Sequence, residues 1–156
     1  MNLFRRKLLL LAGAAGGLLT AGRKALAHHT ETHFGESVAH QLVYQCNKAD
    51  PDYWQAILFS VGEMLRKYGD DIQLVVVCIG PGIHILAKKP ERPVPKRIRE
   101  RVSSLAAYGV AFHACGNTMK SLGWSRDDLL DFARVVPVGA DDLMRLQEQG
   151  FAYISW

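Results

Sequence analysis

The chain is poor in cysteine, with only Cys46, Cys78 and Cys115 among 156 residues and no Cys-x-x-Cys spacing. That excludes a dithiol exchanger of the thioredoxin type and leaves at least one thiol unpaired within a monomer. No Gly-x-x-x-x-Gly-Lys-Ser/Thr cradle for phosphates is present, and no Gly-x-Ser-x-Gly elbow for a hydrolase serine. Low-complexity stretches and internal repeats are missing too, and no motif calls for a cofactor. The uncharged apolar run near the N-terminus, Leu8 to Ala21, falls short of the roughly 20 residues that a spanning helix needs.

Acidic residues are absent from positions 1–27, which hold Arg5, Arg6, Lys7, Arg23 and Lys24. Arg5-Arg6-Lys7 precedes the apolar run and Ala25-Leu26-Ala27 follows it as a small-x-small cleavage signal. This is the layout of an export signal cut after Ala27. The arginine pair in Phe4-Arg5-Arg6-Lys7-Leu8-Leu9 resembles the twin-arginine type, although Leu8 stands where that pattern often has Phe. Retention as an N-terminal anchor is the alternative. The expected layout is a signal at 1–27, a flexible His-rich segment at 28–37 and one domain at 38–156. The expected location is the periplasm, with no stable membrane span after cleavage.

Cleavage changes the electrostatics. The whole chain has a formal net charge of +4, but five of its 19 basic residues lie in the signal, which leaves 14 against all 15 acidic ones. The balance becomes −1, so the basic character belongs to the signal and gives no reason to expect a nucleic-acid partner. The run Lys88, Lys89, Arg92, Lys96, Arg97, Arg99 and Arg101 reads as a solvated helix face rather than an anion site.

From residue 38 on, strand-like and helix-like segments alternate. Ala39 to Cys46 reads as a strand. Asp50-Pro51 then caps a helix with Trp54, Ile57, Leu58, Val61, Met64, Leu65 and Tyr68 at helical spacing, stopped by Gly69. The valine-rich run from Ile72 to Ile79 suits a strand buried on both faces, and Gly80-Pro81-Gly82 turns the chain out of it. Pro95 opens a second helix bearing Ile98, Val102 and Leu105, which Gly109 ends. Val110 to Ala114 is a third strand, with Thr118-Met119-Lys120 opening the next helix. Ser125-Arg126-Asp127-Asp128 resembles a capping box and predicts a helix through Phe132. Val135-Val136, a helix over Asp141 to Gln149 and a strand over Phe151 to Ser155 complete the series. Such alternation predicts a parallel sheet with helices on both faces.

Ligands of such sheets bind beyond the carboxyl ends of the strands. That edge is predicted to hold Cys46-Asn47, Cys78, the turn from Gly80 to His84, and Cys115-Gly116-Asn117, so that three thiols gather near one rim. Cys115 falls where a strand gives way to a helix, facing unpaired N–H groups and the positive end of a helix dipole. Those surroundings favour a nucleophilic thiolate, while packing as a small buried hydrophobe is the other reading. His113, two residues earlier, shares its strand face and could tune the thiol, or could simply be satisfied in the core by a backbone partner. Gly116, Asn117 and Thr118 would supply amides to an anion, with Cys46, Asn47 and His84 as further rim candidates. Cys78 reads as packing. His28, His29 and His33, with Glu31, Glu36 and His40 nearby, could bind zinc, copper or nickel, although their spacing matches no closed zinc site.

From Ala39 to its C-terminus the chain resembles the DsrE/DsrF-like family. The resemblance rests on Gly80-Pro81-Gly82-Ile83, on the run Gly109 to Thr118, on Val136-Pro137-Val138-Gly139 and on the run Leu146 to Ile154. It implies a three-layer α/β/α sandwich around a mainly parallel five-stranded sheet, usually in homo-oligomers. It further implies a carrier of sulfane sulfur, with a persulfide formed on Cys115 and with donor or acceptor proteins as partners. The relay members of that family are cytoplasmic, so an exported chain is not expected to serve tRNA thiolation. A surface thiol in an oxidising compartment could instead end in a disulfide, for example with Cys46. The competing readings are a non-enzymatic protein that binds a metal or small anion and a structural oligomer without chemistry.

Overall fold

The computed structural model describes residues 38–156. The signal expected at 1–27, the flexible segment expected at 28–37 and the histidines His28, His29 and His33 within it lie outside the described residues. The first strand, β1 (His40–Cys46), leads into α1 (Pro51–Tyr68). Asp50 caps that helix, its side chain accepting the Tyr53 N–H at 2.8 Å, and Gly69 ends it with φ +56°. Trp54, Ile57, Leu58 and Val61 form its buried stripe. Strand β2 (Ile72–Cys78) is followed by a 3-10 stretch over Gly80–Leu86. Helix α2 (Lys96–Ala107) buries Ile98, Val102 and Leu105 and turns its charged residues outward. The remainder is β3 (Ala111–Cys115), α3 (Gly116–Leu122), β4 (Arg134–Val136), α4 (Gly139–Glu148) and β5 (Ala152–Ile154).

The five strands form one sheet in the order β4-β3-β2-β1-β5, and all four pairings are parallel. Because side chains alternate along a strand, the register sorts them between two faces. Leu42, Tyr44 and Cys46 of β1 and Leu74, Val76 and Cys78 of β2 join Phe112 and Ala114 of β3 under α1 and α2. Val43, Val75 and Val77 point the other way and pack with Leu143, Leu146 and Phe151. Helices thus cover both faces, as the alternation of elements predicts.

One predicted element is absent. The helix expected over Ser125 to Phe132 is only a 3-10 turn, Arg126–Asp128. The capping pattern is real, with Asp128 Oδ2 accepting the Ser125 N–H at 2.7 Å. Leu129, however, is fully buried and forms a bridge with Ala87, and the Leu130 N–H donates to the Leu86 carbonyl at 2.8 Å. These long-range contacts draw the chain into an extended path that local propensity alone does not foresee. Smaller differences also appear. Strand β3 runs one residue further than expected, to Cys115, and α3 starts at Gly116 rather than Thr118.

Candidate functional site

Cys115 is the last residue of β3 and the N-cap of α3. Its sulfur accepts the backbone N–H of Gly139, the first residue of α4, at 3.2 Å. Thr118, through its hydroxyl and backbone N–H, and the Asn117 N–H, which donates to the Pro137 carbonyl at 3.2 Å, add to the polar surroundings that favour its thiolate. The Thr118 hydroxyl is itself held in place, accepting the Gly80 N–H at 2.9 Å.

Close approach of backbone makes this possible. A Cβ on Gly116 would stand 3.0 Å from the Val136 carbonyl oxygen, and one on Gly139 would stand 2.6 Å from Ile79 Cγ1 and 3.1 Å from Cys115 Cβ. Glycine at both positions lets the turn Val136 to Gly139 lie directly against the thiol. The thiol is consequently not on the surface, as Cys115 is only 4% exposed. Burial by itself raises its pKa. The polar groups of Thr118, Gly139 and Asn117 outweigh burial, and the pKa falls below the ordinary value of 9.0.

His113 lies on the same sheet face, which α4 covers, and is also buried. Its partner is a carboxylate rather than a backbone group, with Nδ1 2.7 Å from Asp142 Oδ2. Asp142 sits in the first turn of α4, three residues after Gly139. One helix end therefore meets both the sulfur and the imidazole.

The other two thiols lie on the opposite face of the sheet. Cys46 and Cys78 are register partners on adjacent strands, both wholly buried on the α1–α2 face. The Cys46 sulfur faces the Gly82 carbonyl at 3.9 Å. Burial pushes the Cys78 thiol well up, and the neighbouring Cys46 thiol adds to the rise. Each of the three thiols ends its strand at the carboxyl rim of the sheet, as expected, but Cys46 and Cys78 leave the face opposite to Cys115; with β2 also lying between the two strands, a Cys46–Cys115 disulfide is excluded. Asn47 is engaged with Tyr53, whose hydroxyl donates to its side-chain oxygen at 3.0 Å. His84 is buried with its ring edge-on to Trp124 at 5.1 Å, and its Nδ1 has no partner among the described residues. Burial first, then Arg92, lowers its pKa, with Glu91 opposing.

Of the residues singled out by sequence, the fold brings Gly116, Asn117, Thr118 and His113 to the side of Cys115 and keeps Cys46, Asn47 and His84 apart from it. Sequence reasoning put Gly80 at this edge without tying it to Thr118, and it missed Gly139 and Asp142 as site residues. Gly139-Ala140-Asp141-Asp142 reads locally as an ordinary helix start with acids complementing the dipole, and nothing local ties it to β3. Among the described residues, no group of three or more His, Cys, Asp or Glu could hold a metal ion, and no helix is long and apolar enough to cross a membrane. His40, the one member of the N-terminal histidine set among them, packs against Tyr68 with ring centroids 4.2 Å apart and the planes tilted by 51°.

The DsrE/DsrF-like family matches residues 42–156 of the chain. Among solved structures, the protein of unknown function MTH1491 from Methanobacterium thermoautotrophicum is 27% identical with a TM-score of 0.67, over 75% of this chain and 99% of that one. YchN from E. coli has a TM-score of 0.59 over the same shares of the two chains, and its 13% identity makes this a likeness of fold. Comparison with curated proteins finds no match.

Proposed function

The chain belongs to the DsrE/DsrF-like family, and from that premise we propose that it carries sulfane sulfur as a persulfide on Cys115. The family is associated with sulfur relay. The observation that carries the reading is one buried sulfur at the N-cap of α3 that accepts the Gly139 N–H at 3.2 Å, with Thr118 and Asn117 beside it favouring the thiolate. Such donors favour the thiolate that attacks a sulfane sulfur and equally favour it as the leaving group when sulfur is passed on.

In loading, the Cys115 thiolate attacks the outer sulfur of a donor persulfide R–S–SH. The new Sγ–S bond forms as the donor's S–S bond breaks, and the electron pair leaves on RS⁻. In delivery, an acceptor thiolate attacks that outer sulfur and Cys115 departs as thiolate. No net oxidation takes place and no cofactor is required. Burial of the sulfur suits a small inorganic polysulfide or the slim end of a protein persulfide, and it protects the loaded state from bulk solvent.

The test is to treat reduced protein with polysulfide and look for one added sulfur atom on the Cys115 peptide by mass spectrometry. Addition there, lost in Cys115→Ser, supports the carrier. Sulfur on Cys46 or Cys78 instead, or none at all, overturns it. The reading includes export of the folded protein by the twin-arginine route, supported by Arg5-Arg6 ahead of the apolar run. A double Arg5→Lys, Arg6→Lys variant that is still exported would overturn that part.

A further inference from the structure

His113, buried, and Asp142, half-buried, form a pair that binding of sulfur by backbone donors does not require. A carboxylate is acceptor-only, so at 2.7 Å the imidazole Nδ1 carries the proton toward Asp142 Oδ2. The other ring nitrogen, Nε2, is then the one free to gain or lose a proton. His113 and Cys115 are two residues apart on one strand face, about 6.6 Å from backbone to backbone. Both side chains meet the first turn of α4, the sulfur through Gly139 and the imidazole through Asp142. The nearby charged groups are Asp142 of α4 and Arg134, the exposed register partner of His113 on β4. Asp141, the other acid of that first turn, is engaged with Arg145 at 2.8 Å.

We propose that Asp142 is a positioning residue that holds His113 with Nε2 free to shuttle a proton during sulfur transfer at Cys115. This rests on the carrier reading above and adds the proton balance to it. In loading, the Cys115 thiolate attacks R–S–SH, RS⁻ leaves, and the imidazolium of His113 hands it a proton. The products are Cys115–S–SH, R–SH and neutral His113. In delivery, an acceptor R′–SH gives its proton to Nε2 and the resulting R′S⁻ attacks the outer sulfur. R′–S–SH leaves, and the thiolate and imidazolium are restored. The sum is R–S–SH + R′–SH → R–SH + R′–S–SH, with no proton or electron unaccounted for. Asp142 offsets the charge of the imidazolium each time it forms.

The test compares two acceptors on polysulfide-loaded protein. A small thiol must lose a proton before it attacks, whereas sulfite above neutral pH has none to lose and leaves as thiosulfate. In Asp142→Asn, delivery to the thiol should slow by about 10-fold or more, the lower range of general acid–base effects, with a changed pH profile. Delivery to sulfite should hold, and Asp142→Glu should recover part of the loss. Equal slowing with both acceptors would make Asp142 merely structural and overturn the shuttle. Nitrogen-15 NMR of His113 in the wild-type protein gives an answer independent of any variant's folding. A proton on Nδ1 is expected in the neutral ring, and one on Nε2 would overturn the proposal. If wild-type Cys115 takes up no sulfur, the carrier reading fails and the shuttle with it. Normal uptake with the wrong tautomer, or without acceptor selectivity, removes the shuttle alone.

Discussion

Gly139 donates its backbone N–H to the Cys115 sulfur at 3.2 Å across 24 residues of sequence, joining the start of α4 to the end of β3. The contact requires glycine, because a Cβ there would fall 2.6 Å from Ile79 Cγ1 and 2.9 Å from Ile79 Cδ1. Gly139→Ala should therefore push α4 off the sulfur. We expect a loss of about 1–3 kcal/mol of stability from overpacking. The Cys115 thiol pKa should rise, as one of the donors that lower it is withdrawn. Thiolate absorbance titrated against pH would show the rise, and an unchanged titration would separate this contact from the acidity of the thiol.

Thr118→Val keeps the shape of the side chain and removes only its hydroxyl. Two things should follow. The Cys115 pKa should rise, because the Thr118 hydroxyl leads the contributions that hold it down. The Gly80 N–H should lose the acceptor it now has at 2.9 Å, costing about 1 kcal/mol at this half-buried position. Slower alkylation of Cys115 at mildly acidic pH checks the first, and urea unfolding the second.

Gly82 is packed against backbone. A Cβ there would stand 2.1 Å from the Cys46 carbonyl oxygen and 2.8 Å from the Asn47 nitrogen, neither of which can rotate away. Gly82→Ala should cost about 3 kcal/mol or more, the upper end of overpacking penalties. A denaturation midpoint close to that of the wild type would contradict the packing described.

His84 makes stability depend on pH. Its folded pKa lies below the ordinary 6.5, chiefly through burial. In the pH window between 6.5 and that lower folded value, the unfolded chain binds a proton that the native chain refuses. Stability should therefore fall as pH drops through this window and should be flat in this respect above it. His84→Gln cannot take up that proton. Its stability should change less than that of the wild type between about pH 8 and about pH 5.5 in urea titrations, and an equal change would assign the dependence to other groups.

Much of this architecture is legible in the chain itself, for local reasons. Asp50-Pro51 and Gly69 bound α1 through capping and a positive φ, and both signals act within a few residues. The valine-rich run of β2 is buried on both faces as its composition demands. The thiol at a strand–helix junction could be found because the apolar residues before Cys115 and the glycine after it mark the change of element. Ser125 to Phe132 misleads for the opposite reason. Its capping pattern is satisfied within three residues, and the path beyond Asp128 is set by pairing with Leu86 and Ala87, some forty residues earlier in the chain.

The sequence by itself determined the alternation of strand and helix, the parallel sheet that follows from it, and the cysteine placed at the carboxyl end of β3. Periodicity, capping and turn chemistry all act over short distances, so one sequence is enough to read them. Only the tertiary structure decided which groups surround that cysteine. Strand register sent Cys46 and Cys78 to one face and Cys115 with His113 to the other. The crossover after β4 carried Gly139 to the sulfur and Asp142 to the imidazole. A hydrogen bond between residues far apart in sequence leaves no mark on either neighbourhood, because each end satisfies its own local rules, and it exists only once the sheet has closed.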